Sequence, residues 1–410
     1  MLFNGSEWIN KRNKNINQVG STNAAKWIPD SEIGTSLAVF GGNEAQRMRV
    51  VGQGIARCFG QMGIVIVHNN WNLENMLKDF KNQYVFQAER YPQTPVCFVN
   101  SENPCYEPLY GLNSSRVIDA VYPRDARESS ANMQQHICAA ALMKYIKILE
   151  YKNVPVDLDN LLYLSNMELE VLEQRELGNV PVGMRDDILI SLSQDNILRQ
   201  VRADINYFAA QMDDRIWSGQ RPASNISIIE AVKNRAMLSV KVPSNSVAIM
   251  DYLSVEINAL LDSGLQFLLV VDSVNFQNSA IKNSIVIAPS QISIILSAKD
   301  IQEIDTAGTS SGIGILNKMS KIILFQCANA IAAKQYSELI GNYLRQFENY
   351  NYSEGKGLLD ILIGHGEGRG KGVSEQLYAR IGPEELVRLG DGAVLINQVN
   401  GQIDIAKRFI

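Results

Sequence analysis

Ser36-Leu-Ala-Val-Phe40-Gly41-Gly42-Asn43-Glu44-Ala45-Gln46-Arg47-Met48 is the stretch on which the fold turns. A short apolar run, a Gly-Gly turn and an amphipathic continuation have the order strand, tight loop, helix. In that setting backbone N–H groups and a helix N-terminus can hold phosphates. Laid without gaps on GxxxxGK[ST] from Gly41, the pattern puts Gln46 at the second glycine, Arg47 at the lysine and Met48 at the magnesium-binding hydroxyl. Each change has a physical cost. Gln resists the positive φ that glycine allows, and Met offers no hard oxygen to Mg²⁺. Glu44 adds a carboxylate that repels a triphosphate at close range. Arg47 can still meet a phosphate, as a planar fork. Taken alone, the loop reads as an ordinary turn, with Gly41, Gly42 and Arg47 as candidates for a degenerate nucleotide site.

A nucleotide hydrolase needs a second strand that ends in Asp-Glu, one acid for the metal and one for the attacking water. Phe267-Leu-Leu-Val-Val-Asp272 supplies the strand and the first acid, but Ser273 follows. A hydroxyl of ordinary pKa is a poor general base. Asp272 is therefore the one candidate for catalysis or for the metal side of a site. In the next run, Ile292-Ser-Ile-Ile-Leu-Ser-Ala-Lys299, neither Ala298 nor Lys299 supplies the amide of a γ-phosphate sensor.

Outward from these two segments the same alternation continues. Apolar runs at Ser36–Phe40, Gly63–Val67, Val96–Val99, Met237–Val242, Phe267–Val271, Ile292–Leu296, Lys321–Phe325 and Ala393–Ile396 predict strands buried on both faces of a parallel sheet. Amphipathic stretches such as Asn132–Glu150 lie between them, which predicts a three-layer α/β domain. Residues 155–217 break the pattern with helical periodicity alone. They carry twelve acids against five Arg and no Lys, a net −7 within a chain of 410 residues and net charge −5. The rest sums to +2. The expected division is a polar lead-in over 1–33, an α/β body over 34–154 and 218–410, and an acidic all-helical insertion over 155–217.

Composition excludes other classes. At 46% hydrophobic and 20% charged residues the chain is not disordered. No run approaches the roughly 18–20 apolar residues of a membrane span, and the polar start lacks a signal-peptide core. A soluble, cytoplasmic chain is expected. The five cysteines show no metal or redox spacing and read as reduced, mostly buried thiols, and no metal site is expected. An acidic balance does not favour DNA binding by the whole molecule.

The order of these pieces resembles the soluble part of conjugative type IV coupling proteins (TraG/TraD-like), within the HerA/FtsK group of RecA-like DNA and protein translocases. The resemblance runs from about Thr35 to the C-terminus. It rests on Val39–Met48, Gly63–Val67, Glu107-Pro-Leu-Tyr-Gly-Leu112, the helical insertion, Phe267–Asp272, Lys321–Gln326, Tyr336–Gly341 and Ile381-Gly-Pro-Glu-Glu-Leu-Val-Arg-Leu-Gly-Asp-Gly-Ala-Val-Leu395. It implies a RecA-like P-loop NTPase fold with an inserted all-α domain. It also implies a ring hexamer that brings DNA or protein to a secretion channel, at the inner face of the membrane through its partners. No segment matches the family's N-terminal membrane helices, and the P-loop Lys and Ser/Thr, the catalytic Glu and the sensor Gln are all missing.

The reading that follows is a catalytically silent, pseudo-ATPase subunit, structural or substrate-recruiting, in a homo- or hetero-oligomer of a conjugation or secretion assembly. It uses no cofactor. An active motor with ATP and Mg²⁺ on a divergent site is the alternative, and a nucleotide-independent DNA-binding protein a second one. The acidic insertion should repel DNA and attract a basic protein. The Gly-rich loop Gly364–Gly372 offers His365, Arg369 and Lys371 for a pore or nucleic-acid contact. His68 reads as a polar cap at a strand end, where the family has an Asp. His136 reads as a helix residue, and Arg345 as a solvated helix face or an inter-subunit arginine.

Overall fold

The computed structural model describes residues 16–19, 35–84, 94–123, 133–212, 216–217, 226–243, 246–274, 280–290, 292–304, 315–353 and 368–406. The chain divides into two compact units, 25–321 and the pair of segments 1–24 and 322–410.

The larger unit is built on six parallel strands: β2 (Ser36–Phe40), β3 (Gly63–His68), β4 (Val96–Val99), β5 (Met237–Lys241), β6 (Phe267–Asp272) and β7 (Ser293–Ala298). Their order is β2-β7-β6-β3-β5-β4, so one strand separates the loop strand β2 from β6. Every residue of β2, β3, β6 and β7 is buried, as their unbroken apolar sequences require. On one face lie α1 (Glu44–Cys58) and α2 (Trp71–Tyr84). Val51, Ile55, Leu73 and Leu77 pack there on Ile64, Ile66, Leu268, Val270 and Ile295. The helix α9 (Ile228–Lys233) lies against β3. A Cβ on Gly63 would stand 2.5 Å from the Val232 Cα, so only glycine permits that approach.

Between β4 and α9 the described residues hold six helices and no strand: α3 (Ser114–Val121), α4 (Met133–Tyr151), α5 (Leu158–Ser165), α6 (Leu169–Glu176), α7 (Val182–Leu192) and α8 (Asp195–Met212). The α8 stripe Ile197, Val201, Ile205, Phe208 and Met212 is buried at helical spacing, and α8 packs on α4, α5 and α7. The chain enters and leaves this region side by side. Tyr106 N–H donates to Ile216 O at 2.8 Å and Glu107 N–H to Ile226 O at 2.7 Å, next to a Cys105–Trp217 bridge. Two further helices complete the unit, the long α10 (Val247–Ser263), closed by Gly264 at φ +70°, and the short α11 (Ile281–Ile287).

In the second unit β1 (Ile16–Val19) runs parallel to β12 (Gln402–Ala406), which is antiparallel to β11 (Ala393–Asn397), and β8 (Lys321–Phe325) lies next to β11. It also carries α12 (Ala330–Ile340) and α13 (Pro383–Val387), where Pro383 opens the helix. A separate antiparallel ribbon joins β9 (Asn342–Ser353) and β10 (Gly368–Ala379).

All eight apolar runs are strands. Four further strands, β1, β9, β10 and β12, were not among them. Two expectations are corrected here. Gly368–Gly372, the second half of the Gly-rich loop, is strand, because β9 pairs with it residue for residue from Gly368–Ser353 to Gly372–Asn349. Arg369 and Lys371 therefore stand on β10, while His365 lies outside the described residues. Arg345 is on β9 and not on a helix.

Candidate functional site

Strand β2 delivers the chain to the carboxyl edge of the sheet, where parallel α/β proteins place their ligand sites. Gly41 (φ +75°) and Gly42 (φ +61°) turn it through conformations that suit glycine. Asn43 then starts α1 at once. Its side chain accepts from Gln46 N–H and its own N–H donates to Gln46 Oε1, both at 2.9 Å, which makes a complete capping box. Three residues thus separate strand from helix, and Gln46, Arg47 and Met48 all lie inside α1.

Arg47 turns back beneath this loop. It is buried, and its Nη1 donates to Gly41 O at 2.9 Å and Gly42 O at 3.2 Å. The Gly41 N–H donates to Lys299 O at 3.2 Å. Met48 packs on the apolar cluster beneath α1. Glu44 accepts from Asn72 Nδ2 at 3.0 Å, away from the turn.

Asp272 closes β6, buried, in register with His68 on one side and Ser297 on the other. Its carboxylate accepts from Asn70 Nδ2 at 2.9 Å. Burial raises its pKa, while Ser297, Asn70 and the Arg47 charge pull it back. Glu303 accepts from Lys299 N–H at 3.1 Å. Burial raises its pKa as well, and that backbone bond and Arg47 lower it. Arg47 is therefore held by two carbonyls of its own chain, and its charge acts on the Asp272 and Glu303 carboxylates. His68 is fully buried between Ser239 Oγ (2.9 Å) and Asn70 O (3.0 Å); burial brings its pKa down to about 4, so it is neutral at pH 7. Farther along the edge Glu74, also buried, takes Lys78 at 2.8 Å, Lys241 at 3.4 Å and Asn100 Nδ2 at 2.6 Å.

The structure thus brings Gly41, Gly42, Arg47 and Asp272 into one cluster. Asn70 and Glu303 belong to it too. Asn70 follows His68, whose reading as a strand-end polar cap pointed to this edge; Glu303, in a turn after β7, carried no signal. Exposed His136 lies on α4.

Nucleotide with Mg²⁺ does not fit these residues. The loop carbonyls are turned to a guanidinium, and the Gly41, Asn43 and Gln46 N–H groups are engaged within the chain. No hydroxyl stands at Met48. Asp272 is tied to Asn70. Among the described residues no group of His, Cys, Asp and Glu could hold a metal ion. No helix there is long and apolar enough to cross a membrane.

No family model and no curated protein sequence matches the chain. Solved structures do. The bacterial conjugative coupling protein TrwBdeltaN70, in an unbound form, is 12% identical with a TM-score of 0.54, over 95% of this chain and 92% of that one. The plasmid coupling protein TrwB in complex with the non-hydrolysable GTP analogue GDPNP is 10% identical with a TM-score of 0.52, over 94% and 90%. Over that length the chain has the fold of the conjugative coupling proteins, a RecA-like P-loop NTPase fold carrying an all-α insertion.

Proposed function

We propose that this chain is a catalytically silent relative of the coupling-protein ATPases, which serves a DNA-transfer or secretion assembly as a structural or substrate-recruiting subunit. The observation that carries the reading is Arg47, whose guanidinium is bound to the Gly41 and Gly42 carbonyls where a nucleotide-binding loop would present N–H groups. The short capped turn and the Ser273 that follows Asp272 support it.

In this reading residues 34–154 and 218–410 form the nucleotide-type body and 155–217 the insertion, which the backbone hydrogen bonds of Tyr106 to Ile216 and of Glu107 to Ile226 favour. The body assembles in a ring, with copies of itself or with an active relative, at the inner face of the membrane through partners. The acidic insertion faces a basic protein, since its net −7 repels DNA.

Thermal unfolding and phosphate release with ATP and Mg²⁺ test the silence. The expected result is an unchanged midpoint and no turnover above buffer. Stabilisation by ATP together with hydrolysis, both lost in Asp272→Ala, would overturn it in favour of an active motor.

A further inference from the structure

The helical region and α10 enclose a cleft of about 1240 Å³, well away from the Arg47 cluster in sequence and built by other elements. Small-molecule sites hold about 300–1,000 Å³, so this one has room for an extended chain segment. Its lining comes from α3, the start of α4, α8, α10 and α11.

The polar chemistry of the lining is one-sided. Asp204 accepts from Tyr122 Oη at 2.8 Å and from Gln200 Nε2 at 2.7 Å, and a carboxylate keeps further lone pairs beyond those two. Asp251, on α10, takes one backbone donor, Ala280 N–H at 3.1 Å. The Asn258 Oδ1 and Gln135 Oε1 atoms are buried in the same lining and find no hydrogen-bond partner among the described residues. The remaining lone pairs of Asp204 and Asp251 favour a ligand rich in donors over one rich in acceptors. Two cations also line the cleft. Arg116 is held by Asp119 at 3.5 Å and by Asp262, and Lys282 is buried near the start of α11. Exposed Tyr207 and the Phe208 ring beside it add aromatic faces on α8.

We propose that this cleft binds an arginine-bearing peptide segment of a partner protein, with guanidinium groups on Asp204 and Asp251. A planar fork of five N–H donors matches several acceptors at once and stacks on an aromatic face, which an ammonium does not. The surplus of acid in residues 155–217 draws such a segment in. Only the identity of the partner rests on the recruiting role proposed above; the cleft's chemistry stands without it.

Fluorescence anisotropy of the full chain with a short labelled peptide of alternating arginine and alanine tests this, with no nucleotide present. The expected result is saturable binding that weakens as salt rises. It should fall at least tenfold in Asp251→Asn and in Asp204→Asn, whose amides keep the Tyr122 and Ala280 bonds and so the fold. Val247→Arg sets a guanidinium at the exposed mouth and should abolish binding. Equal affinity for the matching lysine peptide, unchanged affinity in the Asp variants, or displacement by a single-stranded oligonucleotide would each overturn the proposal. ATP turnover would sink the silent reading and leave this one intact, and failure of the peptide to bind would do the reverse.

Discussion

Glu256 shows what a single buried acid does to this protein. It sits on α10 fully buried, accepting from the hydroxyls of Tyr106 and Tyr252 and from Ile228 N–H at 3.3 Å. Burial lifts its pKa to about 7, against the pull of those three donors. An acid whose folded pKa lies above its unfolded one binds more protons in the fold. The stability contributed by this group is therefore fully present below about pH 4.5, the unfolded value, and is lost as pH rises towards about 7. The full loss attached to this group is about 3 kcal/mol by the usual conversion. Glu256→Gln should flatten the midpoint-against-pH curve over that window; a variant that keeps the wild-type slope would assign the dependence to another group. Arg47 was harder to foresee. The sequence displays the missing Lys, hydroxyl and Glu as letters. That the arginine turns back onto Gly41 and Gly42 depends on φ angles and on loop length, which no letter states.

At the scale of elements, two glycines set opposite expectations. Gly63 opens β3 under α9, and an added Cβ meets the Val232 backbone, where nothing flexible can yield. Gly63→Ala should lower the unfolding free energy by about 2 kcal/mol, as overpacking of a fixed contact does. Gly183 lies in α7 with nothing within 4 Å of its would-be Cβ. Gly183→Ala should raise stability by about 0.5–1 kcal/mol through helix propensity. Denaturant titration of both variants checks the pair, and a shared sign would contradict the packing at Val232. The strands legible in advance were the continuous apolar runs, half-covered β4 included, because such short β-rich runs have few other uses. The β9–β10 ribbon was not legible. Its Asn and Gly residues dilute the β signal of its tyrosines, and its existence rests on pairing across 14 intervening residues or more.

For the molecule as a whole, the six-strand parallel sheet sets where cooperativity lies. Strands β7, β6 and β3 are consecutive in it and buried throughout, whereas β4 lies at its end and is only half covered. Amide hydrogen exchange should find β6 protected to the level of global unfolding and β4 opening at lower cost. Equal protection would mean that β4 is covered by something beyond its own unit. Fold class was readable from alternation and the order of motifs, and the net charge resolved into an acidic graft on a near-neutral body. The helical cleft was not readable, since its polar lining is gathered from five helices far apart in the chain. The capping box has a consequence for the loop. With only Gly41, Gly42 and Asn43 between β2 and α1, it takes Glu44, Ala45 and Gln46 into the helix, residues that a phosphate cradle of the usual length keeps in the loop. No chain is missing from the turn. Opening it would mean unwinding the first turn of α1, so this edge of the sheet is held shut by helix stability and not by want of residues.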